Sequence, residues 1–249
     1  MMRNLLVRGM LTGVAAGLLA WVFAWIFGEP EVRHAIAFEE HQSAHEHTAE
    51  GHAGGHDESE PVSRAVQSTA GLLTGVTVYG IAIGGLFALV FALAYGRLGP
   101  YGARATAGIV AAVGFVAVVL VPFLKYPAQP PAVGDPDTLT ERTVSYFGII
   151  AISIAVAVGA AYLARQFAPR WGTGNAVLAA IAAYVVAMAL IALALPAADA
   201  VPEGFSAGVL WRFRMAALGV QAVLWTTFGV LFGVLAGKVV EKPRVALAA

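Results

Sequence analysis

The sequence predicts an all-α, polytopic integral membrane protein with about six transmembrane helices and a His-rich external loop after the first. Three observations carry this expectation. The 249-residue chain is 59% hydrophobic and only 12% charged, about half the charge of an ordinary soluble domain. Six apolar stretches are each near the roughly 20 residues that span a bilayer as a helix. All six histidines fall between His34 and His56, in the polar stretch between the first two apolar segments.

The apolar stretches run from about Leu5 to Phe27, Ala70 to Tyr95, Ala105 to Leu124, Val144 to Leu163, Ala176 to Leu195 and Met215 to Gly237. With no water in the hydrocarbon core, each is expected to be helical, since only a helix satisfies its own backbone. The first follows Arg3 and resembles a signal peptide in position, but it is longer than a usual apolar core, and Phe27-Gly28-Glu29-Pro30 is a poor cleavage site. It is therefore read as a retained helix. The whole chain, 1–249, is read as one membrane domain containing an external His/Glu-rich loop over 28–69.

Charge sets the expected orientation. If the termini share one side, that side carries Arg3, Arg8, Arg97, Arg104, Arg165, Arg170, Lys238, Lys242 and Arg244, with Glu241 as its only acid. The other side carries Arg33, Arg64, Lys125, Arg142, Arg212 and Arg214, together with every remaining acid and every histidine. The positive-inside rule then places both termini in the cytoplasm and the acidic, histidine-bearing side outside, in a plasma (inner) membrane. A negative outer surface concentrates cations near it.

The six apolar cores contain no Asp, Glu, Lys or His. Such residues mark most proton relays and ion pathways, so this chain alone is not expected to be a proton-coupled pump. The polar residues that remain, Thr74, Thr77, Tyr79, Ser153, Tyr184, Gln221, Thr226 and Thr227, are read chiefly as helix–helix contacts. Glycines recur every four residues at Gly9, Gly13 and Gly17, at Gly71 and Gly75, at Gly80 and Gly84, and at Gly229, Gly233 and Gly237. This spacing lines one helix face with small residues. It suits either packing within the bundle or a docking face for a partner subunit.

The candidate metal ligands are His34, Glu39, Glu40, His41, His45, His47, His52 and His56, with Asp135 and Asp137 in a second external loop. Neutral imidazole binds Co, Ni, Cu and Zn, and carboxylates can complete the shell. If the segment after Pro30 is helical, His34, His41 and His45 share a face, and His41 and His45 stand one turn apart. Gly51-His52-Ala53-Gly54-Gly55-His56 is too glycine-rich to continue a helix and reads as a tether. Three readings stay open: a solvated loop that binds metal weakly, a loose chelating trap that hands metal onward, and a pH sensor. The second loop, Lys125–Thr143, is stiffened by prolines and presents Asp135 and Asp137 after Gly134, a pattern that also makes an ordinary turn. The third ends in Leu210-Trp211-Arg212-Phe213-Arg214, whose arginines either anchor the last helix or pair with external acids.

Gly28-Glu29-Pro30 with Ala35-Ile36-Ala37-Phe38-Glu39-Glu40, then Phe123-Leu124-Lys125-Tyr126-Pro127 through Pro130-Pro131-Ala132-Val133-Gly134-Asp135-Pro136-Asp137, then Leu210-Trp211-Arg212-Phe213-Arg214 with Gln221 and Trp225, together resemble the cobalt transporter subunit family CbtA. The resemblance implies a membrane protein of cobalt uptake for cobalamin synthesis. It also implies a small one-helix CbtB-like subunit with a histidine-containing tail as partner.

The expected function is thus a membrane subunit of a Co²⁺ (divalent transition metal) uptake transporter, with Co²⁺ as transported ion and no permanently bound cofactor. The alternative is a membrane metal chaperone or sensor that does not transport. Enzyme activity is not expected, because the external loops pair no nucleophile with a base. No G-x-x-x-x-G-K-[ST] motif occurs, so ATP would act through another chain. Membrane lipid is the expected environment, nucleic acid is not an expected partner, and a homo-oligomer is possible.

Overall fold

The computed structural model describes residues 1–50, 63–131, 133–134, 138–197 and 201–241. Six helices are long and apolar enough to cross a membrane: α1 (Met2–Gln42), α2 (Arg64–Ala94), α3 (Ala103–Lys125), α4 (Leu139–Trp171), α5 (Thr173–Ala194) and α6 (Ala207–Val240). The helical backbone of α1 continues to Glu50. No strand occurs among the described residues. The chain is an all-α multi-pass membrane protein, as the apolar stretches predict.

The helices run past the ends expected from hydropathy, and α1 does so most. The expected loop over 28–69 is helical from Gly28 to Glu50 and again from Arg64 onward; residues 51–62 lie outside the described residues. Pro30 is the position at which a regular α-helix should clash with the carbonyl four residues earlier. The backbone relieves this by widening to a π turn over Ala24–Gly28, which leaves Pro30 in the first turn of the renewed α stretch Glu29–Glu50. From Val32 to Glu50 there is neither Gly nor Pro, and Ala, Glu and Gln favour continuation. Another π turn, Phe115–Leu120, precedes Pro122 in α3. At the other end, α6 begins at Ala207, so Trp211 to Arg214 are helical rather than loop. α4 takes in Arg165 and Arg170 and leaves Gly172, at φ +78°, to turn the chain into α5.

The chain falls into two compact units. The first comprises Met1–Ala112, Gln129–Val133 and Pro202–Ala249, and so contains α1, α2, the start of α3 and α6. α1 and α2 run antiparallel through a glycine seam: Gly9 lies on Gly84, Gly13 on Gly80, and Gly17 on the backbone of Thr77. A Cβ at any of the four paired glycines would overlap the opposing backbone, so their absence is what allows this approach. Gly229 and Gly233 of α6 meet Ala111, Arg104 and Ala107 of α3 at 3.0–3.2 Å from an ideal Cβ. The glycine faces of α1 and α6, either of which could have docked a partner, are thus occupied within the unit. Gly75 is different, since a Cβ there would meet nothing within 4 Å.

Beside the seam, Phe87 and Phe91 of α2 pack on Trp225, Phe228 and Phe232 of α6 with ring centroids 5.1–6.4 Å apart. Near the termini, Arg8 donates to the Leu235 carbonyl, and Glu241 Oε1 accepts from the Ala103 N–H at 2.8 Å, capping the start of α3.

The second unit comprises Val113–Ala128 and Gly134–Val201. Ser153 and Tyr184 share a 2.7 Å hydrogen bond between α4 and α5, the helix–helix role expected of them. Lys125 Nζ and Tyr126 Oη donate to the carbonyls of Leu195 and Pro196 at 3.0 and 3.1 Å, tying the ends of α3 and α5. Val144, Phe147, Val158, Tyr162, Leu178, Val185, Leu190 and Leu193 stay exposed, as suits side chains facing lipid.

Candidate functional site at the acidic ends of three helices

Two carboxylates are buried where α1 leaves its apolar segment. Glu29 is 8% exposed and Glu31 7%. A buried carboxylate is costly unless a cation and hydrogen bonds compensate it. Two residues apart on a helix are about 200° apart around its axis, so the two acids leave α1 on opposite sides. Each meets an arginine from a different neighbour. Arg64, in the first turn of α2, donates from Nη2 to Glu29 Oε1 at 2.6 Å. Arg212, on the second turn of α6, donates from Nε to Glu31 Oε1 at 2.7 Å. Arg64 Nη1 also reaches Gln67 Oε1 at 3.4 Å. The middle of α1 and the starts of α2 and α6 are thereby fastened by two ion pairs.

An apolar cluster lies along the Glu31 side of α1. Ala35, Val133, Phe205 and Leu210 are buried together, with Phe38 and Val209 against them. Phe38 and Phe205 meet edge to face at 5.1 Å between centroids, a preferred aromatic geometry. This packing fixes the first turns of the α1 extension and limits how water reaches Glu31.

The Glu31 carboxylate is only half satisfied. Its Oε2 is buried and makes no hydrogen bond. His34 Nδ1, one turn further along α1, stands 3.6 Å from this oxygen. The His34 side chain is largely exposed, so this pair spans from solvent to a buried oxygen.

The other candidate ligands distribute as follows. Glu39, Glu40 and His41 are exposed on the α1 extension. His41 follows His34 by seven residues, about 10 Å along the axis, too far for both to hold one ion. The backbone at His45 and His47 is helical, which keeps His41 and His45 one turn apart. His52, His56, Asp135 and Asp137 lie outside the described residues. Among the described residues, no three His, Asp or Glu side chains converge as a metal site. Of the two roles expected for Arg212, anchoring the last helix or pairing with acids of the same side, the structure shows a pairing with the acid Glu31. Glu29, Glu31 and Arg64 were not expected in the site. The available signal was two acids straight after an apolar stretch, with arginines flanking two later ones.

A family model described as the probable cobalt transporter subunit CbtA matches residues 2–237. The chain belongs to the CbtA family. The matched region includes both ion pairs, His34, the His41 to His56 stretch and the Asp135 loop, so every residue of the candidate site lies within the CbtA match. No curated protein and no solved structure matches the chain.

Proposed function

We propose that this CbtA-family chain is the membrane subunit of a cobalt importer that serves cobalamin synthesis, and that the extension of α1 gathers Co²⁺ from outside the cell. The observation that carries the reading is the 3.6 Å approach of the exposed His34 Nδ1 to the buried, unsatisfied Glu31 Oε2. A divalent ion takes imidazole nitrogen and carboxylate oxygen at roughly 2.0–2.2 Å each, so atoms 3.6 Å apart are near the spacing of two ligands on one ion. Water would fill the other positions. His41, His45 and His47, with Glu39 and Glu40, then act as a series of weaker ligands leading down the helix to Glu31, with His52 and His56 as further ligands along the chain. Asp135 and Asp137 would add anionic character to the approach.

The reading includes an orientation, a partner and a place. The basic residues on the terminal side support cytoplasmic termini in the plasma membrane. The CbtB-like one-helix subunit and any ATP-driven component are separate chains. Imidazole and carboxylate bind nickel and copper at least as tightly as cobalt, so selection for cobalt has to come from elsewhere in the system. This chain acts as a transporter subunit, not an enzyme.

The test is Co²⁺ accumulation in cells carrying the chain with its CbtB-like partner. Replacing His34 and His41 with Ala should reduce initial uptake at low external Co²⁺ and be relieved at high Co²⁺, as expected of a gathering step. Unchanged uptake at low Co²⁺ would remove the α1 extension from the pathway. Binding without any accumulation would favour the chaperone or sensor reading instead.

A further inference from the structure

Glu29 and Glu31 are both buried and both paired with an arginine, yet the two arginines are held differently. Arg64 uses two of its nitrogens: Nη2 donates to Glu29 at 2.6 Å and Nη1 to Gln67 at 3.4 Å. Its Nε is buried as well. Arg212 gives only Nε to Glu31. Its Nη1 folds back over its own helix, 3.5 Å from where a Cβ on Gly208 would stand. More than half of the Arg212 side chain is exposed, and Glu31 is its one charged partner among the described residues. Arg64 is thus a fixed clasp, whereas Arg212 leans on its carboxylate by a single bond.

The Glu31 carboxylate cannot serve two cations at full strength. Oε1 already accepts from Arg212, and Oε2 is buried without a hydrogen bond. A divalent ion bonded to Oε2 would stand about 5 Å from the guanidinium on Oε1, close enough for the two to repel where water is scarce. The ion brings twice the charge of Arg212 and draws on His34 Nδ1, 3.6 Å from Oε2, as a second ligand. A displaced Arg212 loses little, because water solvates an exposed guanidinium. Displacing Arg64 from Glu29 would instead strand a buried Nε and disturb the contact with Gln67.

We propose that Arg212 is a counter-cation that the arriving ion displaces: a divalent metal bound by Glu31 and His34 breaks the Arg212–Glu31 pair and releases the first turns of α6 from α1. This rests on Glu31 and His34 being ligands in the proposed uptake function. Before metal arrives, Arg212 neutralises the buried carboxylate; afterwards, the ion does. The antagonism is reciprocal, so Arg212 weakens metal binding by the same factor by which metal weakens the pair. The packing of Ala35, Phe38, Phe205 and Leu210 involves no charge and stays in place. What changes is the charged tie alone, and through it the ion's arrival on α1 is passed to α6, a membrane-spanning helix.

The test uses the purified full chain with His41, His45, His47, His52 and His56 replaced by Ala, which leaves His34 as the sole imidazole. In this parent, Arg212→Gln should tighten Co²⁺ binding about tenfold, a common size for coupling between two binding events. Arg212→Lys restores the competing charge and should return the affinity to near that of the parent. A purely structural role for Arg212 gives weaker or unchanged binding in Arg212→Gln, and either result would overturn the proposal. A second measurement needs no change at Arg212. Co²⁺ should speed amide hydrogen exchange severalfold over Leu210–Arg214 in the parent, and in Glu31→Gln the same segment should exchange fast with or without Co²⁺. Exchange there that slows or stays constant on adding Co²⁺ to the parent would mean that the pair survives metal binding. The two readings fail separately. Co²⁺ affinity unchanged by His34→Ala and Glu31→Gln removes the ligand assignment itself. Affinity lost in those variants but unchanged in Arg212→Gln leaves the ligands standing and removes the displacement.

Discussion

Arg212 reaches from α6 to the Glu31 carboxylate on α1 at 2.7 Å, and the two partners are unequally buried. Glu31 has a side chain 9% exposed, whereas that of Arg212 is 57% exposed. This asymmetry decides which half of the pair matters more. Neutralising Glu31 leaves an arginine that water can still solvate. Neutralising Arg212 leaves a buried carboxylate with no cation.

Arg212→Gln is therefore expected to lower the midpoint of thermal unfolding in detergent by several degrees, and Glu31→Gln by much less. Combining the two should restore most of the loss from Arg212→Gln, because the uncompensated charge is gone. Equal losses from the two single variants would show that the pair is solvated and contributes little, as most surface ion pairs do.

The glycine seam gives opposite signs at two positions of one helix. Gly80→Ala puts a methyl group 2.5 Å from the Gly13 carbonyl oxygen, and backbone on both sides cannot yield. That overpacking should cost about 1–3 kcal/mol. Gly75→Ala meets nothing within 4 Å and should stabilise α2 by about 0.5–1 kcal/mol through helix propensity. Melting curves of the two purified variants decide the matter, and a destabilised Gly75→Ala would mean that a second chain packs on that face.

Much of this fold is legible in the amino-acid sequence because bilayer physics is demanding. Six apolar runs become six helices, and the four-residue glycine spacing at Gly9, Gly13 and Gly17 becomes a seam. The site was less legible. Glu29 and Glu31 follow an apolar stretch directly, where acids are usually solvated, and their burial depends on Arg64 and Arg212, 35 and 181 residues away. Nor does hydropathy reveal that a π turn at Ala24–Gly28 would carry α1 past Pro30. A helical reading of the segment after Pro30 did place His34 and His41 on one face. Their separation by two turns, which denies them a common ion, follows only once that helix is seen to continue.

The histidines give a pH-dependent prediction. Imidazole ligates metal only when neutral, and it ordinarily takes up a proton near pH 6.5. Co²⁺ binding by the full chain should thus be strong at neutral pH and fall away as pH drops below about 6. Replacing His41, His45 and His47 with Ala should weaken binding more than replacing His52 and His56, because helical backbone fixes the spacing of the first set, whereas Gly51, Gly54 and Gly55 surround the second. Calorimetric titration of both variants checks this, and equal losses would mean a loose chelator without a defined site.

Accumulation is expected to need a second chain or an external energy source. Coupling to protons or sodium normally uses ionisable groups within the membrane. The acids that follow the apolar run of α1, Glu29 and Glu31, are both engaged by arginines at the helix ends. The polar side chains in the neighbouring apolar runs of the first unit include Trp21, Thr77, Tyr79 and Gln221, which carry no formal charge. Neutral groups offer no proton to exchange for an ion. Reconstituted alone in liposomes, the chain should equilibrate Co²⁺ at most, and an imposed pH gradient should not concentrate it. Adding the CbtB-like subunit and any energising component should then raise the internal concentration above the external one. Concentration by the isolated chain in response to a pH gradient would overturn this expectation and point to Glu31 and His34, with their 3.6 Å contact, as the exchanging pair.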